Sequence, residues 1–154
     1  MEKSRLPQKQ SPVGESKTRI DAREKVTGAA QYADDIQFGQ RLLYARIKRS
    51  PYPHALIKKV DITRALALPG VKAVVTGADF PGYIGLYLKD RHIFCRDRVR
   101  YVGDPVAGVA AVSPEIAEQA VRLIKVEYEP LEPVLDPEFG ASTQAPLLHP
   151  DLGK

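Results

Sequence analysis

His92 and Cys95 are the residues whose types and spacing first suggest chemistry, since only Ile93 and Phe94 separate them. That is a chelate spacing for an imidazole and a thiolate on one metal. A structural site needs two further ligands, and His54 and His149 stand in separate proline-containing loops. The pair is therefore expected to be ordinary residues flanking a buried Phe94. A thiolate mechanism at Cys95 needs a base beside it, and Arg96 lowers the thiol pKa only in an open site. Asp34-Asp35 is a second candidate, for acid–base work, but neighbours in an extended chain point to opposite faces and share no proton. Turn or capping duty is the expectation there. In Arg96-Asp97-Arg98-Val99-Arg100, alternation places three arginines on one side of a strand. We read that side as a solvated face or edge guard, with a nucleic-acid patch as the alternative. No phosphate-cradling glycine pattern or serine nucleophile elbow occurs, and Gly14-Glu15-Ser16-Lys17-Thr18 lacks the required spacing. These residues alone identify no catalytic, cofactor-binding or metal-ligating position.

Composition narrows the classes further. The chain has 154 residues, 44% hydrophobic and 27% charged, the proportions of a soluble globular domain with room for one core. Eleven glycines and thirteen prolines favour short elements and many turns over a helical bundle. The net charge is +4, but the first twenty residues, with Lys3, Arg5, Lys9, Lys17 and Arg19 against Glu2 and Glu15, supply +3 of it. The body thus lacks the clustered excess that polyphosphate binding requires. The single cysteine excludes an intrachain disulfide and any four-cysteine cluster, which fits a reducing, cytoplasmic setting. The opening residues show no signal-peptide apolar region, and no run is long enough to span a bilayer.

Residues 1–18 are polar and aperiodic and read as a flexible basic lead-in. Leu43, Ala45 and Ile47 alternate with polar neighbours as a strand does. Ser50-Pro51-Tyr52-Pro53-His54 interrupts the ladder, and a strand at about 56–62 follows, with the first strand as its expected partner. A short helix at about 63–68, with Asp61 or Thr63 as N-cap, is stopped by Pro69-Gly70. A β-branched strand covers 71–76, and 77–95 reads as a surface loop. Val106–Val112 is apolar on both faces, as a central, doubly covered strand must be. Ser113-Pro114-Glu115 opens the main helix at about 114–123, and Ile124, Val126 and Tyr128 continue as a strand. The sum is an α+β domain: a mixed sheet of four to six short strands, one main helix and one short one. Beyond Pro130 the chain is punctuated by prolines.

Several blocks of the chain, in order, carry a resemblance. Arg19-Ile20-Asp21-Ala22-Arg23-Glu24-Lys25-Val26-Thr27-Gly28-Ala29-Ala30-Gln31-Tyr32-Ala33-Asp34-Asp35-Ile36 resembles the opening of the molybdenum-binding subunit of the xanthine dehydrogenase and aldehyde oxidase family. Arg49-Ser50-Pro51-Tyr52-Pro53-His54-Ala55, Leu68-Pro69-Gly70-Val71, Val99-Arg100-Tyr101-Val102-Gly103-Asp104-Pro105-Val106-Ala107 and Val126-Glu127-Tyr128-Glu129-Pro130-Leu131 are similar to its next landmarks. The resemblance implies an α/β hammerhead domain over 19–137. It also implies that 138–154 is a linker towards a molybdopterin-binding region that this sequence stops short of. For a complete enzyme it implies molybdopterin with molybdenum, [2Fe-2S] centres and usually FAD, and substrates such as purines, aldehydes or 4-hydroxybenzoyl-CoA. It gives no catalytic, cofactor-binding or metal residue to any position here. The implied role is a scaffold, inactive alone, that packs on the molybdopterin domain and on iron–sulfur and flavin subunits. A freestanding interaction module of the same fold, without redox activity, is the alternative, and a small enzyme using Cys95 and His92 is a third. No nucleic acid and no membrane are expected as partners; exposed apolar surface leads to an expectation of self-association in isolation.

Overall fold

The computed structural model describes residues 13–36, 38–39 and 42–150. The backbone divides into two compact units, Met1–Gly39 and Gln40–Lys154. In the first, α1 (Ala22–Thr27) is one and a half turns long and has no buried residue. Local contacts hold it: Asp21 pairs with Lys25 at 2.7 Å and with Arg19 at 3.0 Å, and these two cations, Lys25 foremost, hold its carboxyl below the usual range. Gly28, at φ 74°, ends the helix in the left-handed conformation that glycine adopts without strain. A 3-10 turn follows at Ala33–Asp35. There the Asp35 carboxylate accepts the Tyr32 N–H at 2.8 Å, so Asp35 performs the turn duty expected. Of the lead-in at 1–18, residues 1–12 lie outside the described residues, and 13–18 are exposed.

The second unit contains β1 (Tyr44–Arg49), β2 (Ala55–Asp61), α2 (Thr63–Leu66), β3 (Val71–Thr76), β4 (Tyr83–Ile84), β5 (Arg91–His92), β6 (Arg98–Val99), β7 (Pro105–Ala111), α3 (Pro114–Leu123), β8 (Lys125–Pro130) and α4 (Pro137–Gly140). The α+β class holds. The strands form not one mixed sheet but three small ones, of order β1-β7-β3, β6-β2-β8 and β4-β5, and every pairing is antiparallel.

Several expectations are corrected. β2 does not pair with β1: the prolyl segment 51–53 carries the chain away, so Ala55 meets Val99 of β6 and Pro130 of β8. β7 and β8, joined by α3, likewise fall in different sheets. The expected loop 77–95 contains the β4–β5 hairpin, in which Tyr83 stands opposite His92. Two-residue strands are too short for an alternation pattern to register. At α2 the N-cap is Ile62, which has no capping side chain, while Asp61 Oδ1 accepts the Thr63 N–H at 3.0 Å.

α3 begins as its sequence requires, with Pro114 in the first turn and Ser113 Oγ accepting the Ile116 N–H at 3.3 Å. Its Ala117 and Ala120 are fully buried, so the helix lies close on the β1-β7-β3 sheet. At its far end the Lys48 ammonium donates to the Val121 carbonyl at 3.4 Å, where a cation complements the helix dipole.

Two buried clusters form the core. Ala65, Ala107, Val109, Ala120 and Ile124 make one, between α3, α2 and β7. Ala55, Cys95, Val99 and Val106 make the other. β7 contributes to both because its side chains alternate between faces. Close backbone packing fixes Gly77: a Cβ there would lie 2.5 Å from the Cys95 carbonyl oxygen and 2.8 Å from the Arg96 Cα.

Ile124→Ala should cost about 2–5 kcal/mol in urea unfolding, and Gly77→Ala about 1–3 kcal/mol through forced backbone displacement. Gly82→Ala, where a Cβ meets nothing within 4 Å, should stay within about 0.5 kcal/mol of the parent.

Candidate functional site

A cleft of about 710 Å³ opens beside the β4–β5 hairpin. Pro105 and Cys95 contribute to its lining, together with Arg91 and His92 of β5, Arg100, Tyr101 and Asp104 from the approach to β7, and Leu148 and His149 from the chain beyond α4. The fold thus brings His92, Cys95 and His149 to one cavity, although His149 is remote from the other two in sequence. His54 is not among its lining residues. Among the described residues no group of three or more His, Cys, Asp or Glu side chains is arranged to hold a metal ion.

Cys95 is 5% exposed. Burial, and then a hydrogen bond to Asp104, push its thiol far above the ordinary range, against a smaller opposing effect from Arg100. A thiol so placed stays protonated at neutral pH and is a poor nucleophile. Cys95 rather than Phe94 is the buried residue of this stretch; Phe94 is half-buried and packs beside Phe80, ring centroids 6.3 Å apart. His92 stacks on Tyr83 at 4.2 Å with the rings inclined by 25°, and its Nδ1 lies 3.3 Å from the Gly82 carbonyl oxygen. Neither contact supplies Cys95 with a base.

Several polar lining residues are engaged in structural bonds. Asp104, 7% exposed, accepts the Arg100 backbone N–H at 2.9 Å. Its carbonyl accepts the Ser50 N–H at 2.9 Å. Arg91 donates to the Tyr101 hydroxyl at 3.3 Å and lies 6.0 Å from the centre of that ring; this bond raises its pKa. The arginine run is not the solvated face expected, although β6 does lie at the edge of its sheet. Arg96 is exposed, but Arg98 and Arg100 are half-buried. Arg98 Nη1 lies 3.0 Å from His54 Nε2, and Arg100 Nε donates to the Leu148 carbonyl at 2.8 Å.

Arg91, Tyr101 and Leu148 are lining residues that the sequence does not reveal, and Asp104 reads there only as part of a turn. No local pattern marks them; long-range pairing of short elements assembles the cavity. Its chemistry is that of a partly apolar recess with two arginines and two aspartates, Asp90 and Asp104, on its walls and a buried, protonated thiol at Cys95. In the folded chain Cys95 should react with a thiol reagent at pH 8 at least about a hundredfold more slowly than in the urea-unfolded chain, because exchange with solvent requires local opening. Equal rates would show that the thiol is accessible.

Residues 27–132 match the family described as aldehyde oxidase and xanthine dehydrogenase, a/b hammerhead domain. Over 138 residues the chain is 46% identical to a probable xanthine dehydrogenase subunit from Bacillus subtilis, a match covering 88% of this chain and 18% of that protein. It is 38% identical over 141 residues to the nicotinate dehydrogenase large molybdopterin subunit of Eubacterium barkeri, covering 90% and 33%. Among solved structures, CO dehydrogenase from Oligotropha carboxidovorans superposes with a TM-score of 0.84 at 33% identity, over 90% of this chain and 18% of that one. The chain therefore spans between about a sixth and a third of the length of these relatives. With well over half of its residues matched by the family, and the same backbone arrangement in a solved relative, the chain belongs to the aldehyde oxidase and xanthine dehydrogenase α/β hammerhead family.

Proposed function

We propose that this chain serves as the hammerhead scaffold of a molybdenum hydroxylase large subunit, non-catalytic by itself, packing on the molybdopterin-binding part and on partner subunits that carry iron–sulfur and flavin groups. The carrying observation is the family match over 27–132 in relatives whose names include a molybdopterin subunit and which are about three or more times longer than the matched region. In this reading the domain boundaries are those expected from the sequence: hammerhead at 19–137 and a connecting segment at 138–154, with 1–18 as a lead-in.

Among the described residues, the cleft's side chains do not form a set suited to holding these cofactors. The cleft offers a buried, protonated thiol and arginines already bonded to protein groups, and no described cluster suits a metal. No reaction step is therefore assigned to it. The surface suits docking instead. Leu86 and Tyr87, at the tip of the β4–β5 hairpin, are 89% and 93% exposed, and Leu43 and Ile47 are more than two-fifths exposed on or beside β1. Adjacent exposed apolar side chains such as Leu86 and Tyr87 support a contact surface at the hairpin tip. No described helix is long and apolar enough to cross a membrane, and a cytoplasmic setting accords with the single, free cysteine.

Metal and pterin analysis of the purified chain should find molybdenum well below one equivalent, with no turnover of an aldehyde or heterocycle; stoichiometric molybdenum on the chain alone would overturn the scaffold reading. Sedimentation should show concentration-dependent self-association, which Leu86→Glu with Tyr87→Glu weakens about tenfold or more while thermal stability changes little. Co-purification of a molybdopterin-bearing polypeptide with the parent chain but not the double variant separates a subunit scaffold from a freestanding interaction module.

A further inference from the structure

β8 lies at one edge of its sheet: β2 takes its inner side, and among the described residues no strand pairs with its outer side. A groove of about 650 Å³ follows that open edge. Side chains alternate between the two faces of a strand, so a hollow over one face would be lined by every second residue. This one is lined by the consecutive residues 124–128 and therefore runs along the edge. The rest of its lining comes from Lys48 and Arg49, at the end of β1, and from the prolyl segment that includes Tyr52. A free edge presents backbone N–H and C=O groups to whatever lies beside it. The groove thus joins an open ladder to a second wall that can hold the side chains of an added strand.

We propose that this groove receives an extended acidic segment of another polypeptide, added beside β8 as a further strand of the β6-β2-β8 sheet. This inference goes beyond the scaffold reading and does not depend on it. The lining carries three cations, Lys48, Arg49 and Lys125, against one acid, Glu127. Lys48 and Arg49 do bond within the fold, but to the carbonyls of Val121 and Gly103, at 3.4 and 2.9 Å. A carbonyl is neutral and leaves the cation its charge, and each group keeps further donors. Lys125 is exposed and stands opposite Asp61 of β2, across the ladder from the open edge. An entering carboxylate is therefore attracted, whereas a basic strand meets like charge. The rings of Tyr52 and Tyr128, 5.2 Å apart, give the apolar side chains that alternate with the acidic ones an aromatic surface to rest on.

The same charges select against other occupants. The opening residues of this chain hold Lys3, Arg5 and Lys9 against Glu2, so they repeat the sign of the groove instead of complementing it. In a symmetric pairing with a second copy, each Lys48-Arg49 wall stands beside its own β8 edge, and joining edge to edge brings the two cationic walls together. An acidic strand from a different polypeptide meets neither obstacle.

The test titrates the ¹⁵N-labelled whole chain with end-blocked hexapeptides in which valine alternates with a second residue. The valine–glutamate peptide should bind at low salt with a dissociation constant below about 1 mM and shift the amide signals of residues 124–128. Added salt should weaken it. The valine–lysine peptide should bind at least about tenfold more weakly. A valine–glutamate peptide with proline at its centre, which withholds a ladder donor, should lose binding. Lys48→Glu combined with Lys125→Glu should reverse the preference between the two charges. Equal affinity for the acidic and basic peptides, shifts that avoid residues 124–128, or undiminished binding of the proline peptide overturns the proposal. So do shifts of the same amides that grow with the concentration of the chain alone, which would put a second copy at the edge. The comparison of peptides needs no variant, so it decides the matter even if the double variant fails to fold, and it is separate from the co-purification result.

Discussion

Burial of β7 on both faces is the constraint on which the rest of the second unit depends. Its seven residues, Pro105–Ala111, are small or β-branched, and five of them are buried. Its two edges are taken by β1 and β3, so its backbone groups are satisfied without water. Its side chains alternate, sending Ala107 and Val109 under α3 and Val106 towards Cys95 and Val99. A slip of one residue would exchange these faces and break both cores together. Gly108, opposite Ile47 and Val75, leaves room for Phe94, whose ring a Cβ would meet at 2.8 Å. Phe94 and Cys95 are thereby fixed over the strand, with the Cys95 N–H on the Pro105 carbonyl at 2.7 Å.

What is legible in the sequence follows the reach of each signal. α3 is readable because its cap, proline and apolar stripe all lie within a dozen residues. β1, β2, β3, β7 and β8 are readable from their own composition and alternation. Pairing is not, because β1 joins β7 across some sixty residues and nothing local to either strand encodes the choice. The rule that consecutive strands are neighbours fails at β2, where Pro51 and Pro53 turn the chain out of the first sheet. The β4–β5 hairpin escapes because Tyr83–Ile84 and Arg91–His92 carry no period at all.

The arginine run shows a different limit. Alternation predicts three arginines on one side of a strand, but β6 covers only Arg98–Val99, and alternation does not say what lies over Arg98 and Arg100. What lies over them is the proline-punctuated chain after β8, which has no periodicity and looks like a tail. His54 is hidden in the same way. A histidine in a Pro-Tyr-Pro-His loop carries no sequence mark of burial, yet here it is buried between β6 and that returning segment.

The same accounting bears on function. Among the described residues three polar ones are buried. Ser50 exchanges hydrogen bonds with the Tyr52 backbone and with Gly103 and Asp104, Asp104 holds the Arg100 N–H, and His54 joins Arg98 to Glu132. Each has its bonding capacity directed to the backbone or to a neighbouring side chain. A group that is to move a proton or attack a substrate must keep a lone pair or a proton for that purpose and face a place where substrate can sit. The cleft has such a place, but Cys95 beneath it is held protonated. Leu86, Tyr87 and the apolar side chains of β1 are among several large apolar groups that the described fold leaves exposed, and what such side chains lack is apolar cover. Buried polar residues committed inward, beside apolar groups left outward, are what the proposed scaffold role requires of the described surface.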